Sequence, residues 1–125
     1  MPARKGAPGR NLALALDVKI ALETISGYVR GKTFVDFVGN QMMQDAVLRQ
    51  LGVAGEAASQ MDQTFRAAHA SPHWRGIIAM RHHLIHRYDS VDQTIVWQTV
   101  SADVPALLAF IKSEVPELGQ RTKGK

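Results

Sequence analysis

From Asn11 to Val29, Leu14, Val18, Leu22, Ile25 and Val29 recur at spacings of three and four, the stripe of an amphipathic helix that ends before Gly31. Thr33 followed by Asp36 has the form of a capping box, which predicts a short helix stopped by Gly39. Val47, Leu48, Leu51, Ala54, Ala58 and Met61 place one face of a longer helix over residues 41–63. Gly52 and Gly55 cost that helix about 1 kcal/mol each relative to alanine, so a close helix crossing is expected there. Ser71 before Pro72 marks the start of another helix, running to Tyr88. A second capping box, Ser90 with Gln93, opens a short helix carrying Ile95, Val96 and Trp97, and Asp103-Val-Pro105 opens the last, with Leu107, Leu108 and Ile111 inward. No segment alternates like a strand. The pattern predicts an all-α, antiparallel bundle of four main helices with two short ones.

The chain of 125 residues is long enough for one core and too short for two. Its net charge of +4 is misleading. Arg4, Lys5 and Arg10 in residues 1–10, and Arg121, Lys123 and Lys125 in residues 118–125, are met by no acid, whereas residues 11–117 hold nine Lys or Arg against eleven Asp or Glu. The expected organisation is therefore a basic disordered tail over 1–10, a helical domain over 11–117 and a second basic tail over 118–125. RNA contact by the domain itself must use local clusters such as Arg81 with Arg87. The absence of cysteine excludes disulfides and thiolate metal sites. No apolar leader and no membrane-length apolar stretch are read, so a soluble cytoplasmic protein is expected.

Candidate chemistry is concentrated in one place. All five histidines fall between His69 and His86, and the segment closes on an Arg81-x4-His86-x-Tyr88 arrangement. A permanent cation, a titratable ring and a phenol can hold a phosphodiester and move its protons. On one helix Arg81 and Tyr88 fall nearly in line, but His86 lies about 140° from Arg81, so one helix cannot aim all three at one atom. Unwinding of the last turn, or a two-fold partner presenting the same helix, would close that gap. His86 in a last helical turn sits where the macrodipole favours the charged ring, which suits a proton donor, and Arg81 suits stabilisation of a phosphorane-like charge.

The ordinary readings stand beside these. An arginine and a histidine on a helix are most often surface or capping residues, and a tyrosine is most often packed. His82 and His86 have the i,i+4 spacing of zinc ligands, but no HExxH glutamate and no third ligand accompany them, so no metal or other cofactor is expected. Trp74 and Trp97 read as core or interface, His69 and His73 as a solvated loop, and Glu56 as a surface position or a half-buried carboxylate facing a cation.

The run from Trp74 to Tyr88, followed by Val91-Asp92, Val96-Trp97 and Asp103-Val-Pro105, closely resembles the HepT-like (DUF86) proteins of the HEPN superfamily. Gln44 to Arg49 and Gly55 to Ala58 resemble that family's second signature. The resemblance implies a HEPN-like bundle forming a two-fold homodimer, with paired Arg81 and His86 as a metal-independent endoribonuclease site cutting tRNA or mRNA. It also implies a toxin–antitoxin pair whose partner is an MntA-like minimal nucleotidyltransferase that transfers AMP to Tyr88. His82, where relatives often carry asparagine, and Arg87 are expected to support the site; His82 and His86 would repel if both were charged. The other reading is a non-catalytic HEPN subunit that docks the nucleotidyltransferase and binds nucleotide or RNA.

Overall fold

A computed structural model describes residues 8–115, which are helical with short connections and contain no strand. The helices are α1 (Pro8–Val29), α2 (Phe34–Val38), α3 (Gln41–Gln60), α4 (Gln63–Ala68), α5 (Pro72–His86), α6 (Gln93–Gln98) and α7 (Val104–Glu114). The stripe read for α1 is the buried one: Val18, Leu22 and Ile25 are fully covered, chiefly against α3. Leu51 of α3, Ile77 of α5, and Leu107 and Ile111 of α7 complete the core, each contributing about 1.5–3 kcal/mol by leaving water. The chain turns out of α1 through Gly31, whose φ of 73° is the left-handed region that favours glycine. The Thr33 capping box forms as the spacing predicts, and the Thr33 backbone N–H, then its hydroxyl, hold the Asp36 carboxyl below the usual carboxylate range.

Several boundaries differ from the pattern. α1 begins at Pro8, inside the stretch read as tail, and Arg10 donates hydrogen bonds to the Gln60 carbonyl and side chain at 2.8 and 3.1 Å. The remainder of that tail, and the C-terminal one, lie outside the described residues. α3 stops at Gln60, because Met61 and Asp62 are extended and Asn11 binds the Asp62 backbone N–H at 3.0 Å; the unforeseen α4 follows. Asp92, not Ser90, caps α6, accepting from the Thr94 N–H at 2.9 Å.

Asp103 opens no new helix. A π-helical turn over Thr99–Asp103 carries α6 straight into α7, and Pro105 sits inside the continuous helix Gln93–Glu114. By length and composition that helix is apolar enough to cross a membrane, contrary to the expectation that no stretch would be. Its apolar stripe of Val96, Val100, Val104, Leu107 and Ile111 is buried in the bundle. Four long helices and two short ones result, but the second short one is α4. The π turn frees Asp103 to meet α5: its Oδ1 lies 2.7 Å from His73 Nδ1, and a Cβ on Gly76 would come within 2.6 Å of the same oxygen. His73 is thus helical and paired rather than in a loop, and His69 ends α4 with its ring against Phe65 and its carbonyl accepting from Trp74 Nε1.

Candidate functional site

The α3–α5 crossing determines where the chemistry sits. A Cβ on Gly55 would collide with Arg81 Cβ and lie 2.9 Å from the Ile77 carbonyl, so only glycine lets the helices approach this closely. Gly52, one turn earlier, meets nothing within 4 Å. The crossing expected at both glycines is therefore made at Gly55 alone. Beside it lies a groove of about 610 Å³ lined by Leu48, Arg49, Gly52, Val53 and Glu56 of α3 and Arg81, Leu84 and Ile85 of α5, together with Tyr88 and Val91.

Arg81 enters this groove and pairs with Glu56 Oε1, so Glu56 is the carboxylate facing a cation. The other Glu56 oxygen accepts from Gln60 Nε2 at 2.5 Å, and Gln60 in turn accepts from Arg10. A polar chain thus runs from the start of α1 through the end of α3 to Arg81. With side chains 34% and 46% exposed, the Arg81–Glu56 pair contributes at most about 1 kcal/mol to stability; its effect is to aim the guanidinium.

α5 ends at His86, two residues short of the expected Tyr88, and Arg87 follows as the exposed C-cap. Tyr88, in the turn beyond, shares the groove with Arg81 and is 83% exposed. His86 does not line the groove. Its ring is exposed on the neighbouring face and lies 4.2 Å, centroid to centroid, from that of His82 one turn back. A single chain therefore unites Arg81 with Tyr88 and His86 with His82, the division the 140° separation requires.

Arg49 and Val53 are groove residues to which the sequence reading gave no functional role. The available signal was Arg49 seven residues before Glu56, in line with it on one helix face. Among the described residues, no three His, Asp or Glu side chains come together to hold a metal.

The model of the family described as ribonuclease HepT-like matches residues 18–114. A protein of Thermococcus cleftensis named "Probable ribonuclease HepT" is 37% identical over 91 residues, covering 73% of this chain and 83% of that one. A protein of Caldanaerobacter subterraneus named "Putative RNase TTE0752" is 35% identical over 95 residues, covering 76% and 81%. No solved structure matches the chain.

Proposed function

The chain belongs to the ribonuclease HepT-like family, and from that premise we propose that it is a metal-independent endoribonuclease of tRNA or mRNA, the toxin of a toxin–antitoxin pair. The observation that carries this reading is Arg81 held at the mouth of an open groove with His86 a turn and a half further along the same helix. Arg81 stabilises the charge on the phosphorane-like transition state, and His86 moves a proton at the 2′-hydroxyl or the leaving 5′-oxygen. His82 and Arg87 support the site. Because Arg81 and His86 face different ways in one chain, the complete site needs a second copy about a two-fold axis, and the exposed Val53 and Ile85 at the groove provide apolar surface for that contact. The test is cleavage of total RNA in EDTA by wild type and by His86→Ala.

Glu56 occupies the guanidinium that a phosphate must reach, so substrate displaces it. Glu56→Gln is expected to tighten RNA binding several-fold while changing stability by less than about 1 kcal/mol. Binding titrations with 2′-O-methyl RNA and urea denaturation check this; weaker binding in a fully folded variant would mean that Glu56 orients Arg81 without competing for it.

The antitoxin is an MntA-like minimal nucleotidyltransferase. The Tyr88 hydroxyl attacks the α-phosphorus of ATP and pyrophosphate leaves, placing a phosphate and a bulky base in the groove beside Arg81, which neutralises the arginine and excludes RNA. Intact-mass spectra after incubation with antitoxin and ATP should show AMP additions on wild type and none on Tyr88→Phe. Additions that persist in the variant reassign the acceptor.

A second reading has one observation in its favour, the separation of His86 from the groove in the single chain. On that reading the chain is a non-catalytic HEPN subunit that docks the nucleotidyltransferase and binds nucleotide or RNA. A folded wild-type dimer free of AMP that leaves RNA intact in EDTA would favour it.

A further inference from the structure

At the other end of α5 a second cleft, of about 590 Å³, opens where α4 turns into α5. Arg66 and Arg75 line it together with Gln63, Ser71 and Trp74, and no carboxylate does. Neither arginine forms a salt bridge among the described residues. Arg66 Nε is buried without an acceptor. The acid one turn before it, Asp62, gives one oxygen to Asn11 Nδ2 at 3.2 Å, and its other oxygen is buried with no partner, so it does not reach Arg66. A buried N–H left unpaired is costly, more so on a charged group, and arginine cannot escape by losing its proton. The Arg66 guanidinium lines the cleft beside Arg75 with no carboxylate among the lining residues, so an anion entering there meets uncompensated positive charge.

Helix register connects this cleft to the candidate active site. Arg75, Ala79, His82 and His86 are all exposed. At about 100° per residue the last three lie within about 40° of the direction of Arg75, forming one track along α5 with the small Ala79 between the charged ends. At about 1.5 Å per residue the track from Arg75 to His86 is about 16 Å long, which is some five nucleotides of stacked strand at about 3.4 Å each, and fewer when the bases unstack.

We propose that the Arg66–Arg75 cleft binds a backbone phosphate of single-stranded RNA a few nucleotides from the phosphodiester presented to His86, with the strand following the exposed face of α5. The ligand class rests on the ribonuclease reading above. Two guanidiniums and a serine hydroxyl bind phosphate whatever the base, so the cleft contributes affinity and register without sequence preference. It adds to the domain a cationic site that the charge count of residues 11–117 conceals.

Trp74 forms a wall of the cleft and reports on it. In a Trp97→Phe background, where Trp74 is the remaining tryptophan, a ten-nucleotide 2′-O-methyl RNA, which cannot be cleaved at its blocked 2′-oxygens, is titrated while emission is followed. Arg66→Gln/Arg75→Gln is expected to raise Kd about tenfold at low salt. The slope of log K against log salt should flatten by about 0.7, the contribution of one neutralised phosphate on a single strand. Arg30→Gln/Lys32→Gln removes the same charge from an exposed turn at the end of α1 and should leave Kd within about twofold. Arg75→Gln alone, at an exposed position, should give about half the change in slope and guards against misfolding by the double variant. Equal Kd for the two double variants overturns the cleft. RNA binding that depends on Arg66 and Arg75, in a protein that cuts no RNA, overturns the nuclease reading and supports the cleft.

Discussion

His86→Ala is expected to lower RNA cleavage in EDTA by about 10²- to 10⁴-fold, the range removed with a positioned general acid or base. Loss of packing cannot produce that result. The ring is exposed at the end of α5, and its close contact is the tilted face of His82, so truncation should change stability by no more than about 0.5 kcal/mol. Unchanged thermal unfolding together with lost cleavage separates chemistry from folding. Undiminished cleavage would show that the nuclease signal belongs to a contaminant or that the assignment is wrong. A heterodimer of His86→Ala with Arg81→Ala sharpens the result. If the two residues act across the two-fold axis, one of its two clefts keeps an intact pair and activity returns to about half of wild type; if each pair acts within a chain, none returns.

Gly55→Ala should destabilise the protein although alanine is the better helix former. The propensity gain is about 1 kcal/mol. Against it, the new methyl collides with Arg81 Cβ and lies 2.9 Å from the Ile77 carbonyl, and both are fixed to the helix backbone, so α3 and α5 must separate. Overpacking of this kind costs about 1–3 kcal/mol, and Gly55→Val should cost more. Gly52→Ala is the matched control: with nothing within 4 Å it should stabilise by about 0.5–1 kcal/mol. Urea denaturation of both variants measures the difference. Equal effects would mean that the helices slide apart without cost. Because the Gly55 contact is with Arg81, separation also shifts the guanidinium within the groove, and cleavage should fall more than stability alone accounts for.

Local signals fared best where the interaction that shapes the chain is itself local. The Thr33–Asp36 capping box, the Ser71 cap before Pro72 and the α1 stripe are decided by atoms within one or two turns, and all three form as the spacing implies. Two of the failures have distant causes. α3 ends at Gln60 because Asn11, far away in sequence, binds the Asp62 backbone. The break expected at Asp103 is absent because a π turn absorbs the irregularity while α5 packs on it through Gly76 and His73. No pattern along the chain encodes those partners.

The same division holds at the site. The sequence by itself determined an all-helical chain, its family resemblance, and the separation of Arg81 from His86 on one helix, because helical periodicity and motif order are properties of neighbouring residues. Only the tertiary structure decided that Gly55 rather than Gly52 makes the crossing, that Glu56 and Gln60 hold Arg81, and that Tyr88 shares its groove while His86 looks outward. Those facts depend on which helix lies across from which and how closely, and that is fixed by packing of the whole bundle, to which residues remote in sequence contribute as much as neighbours.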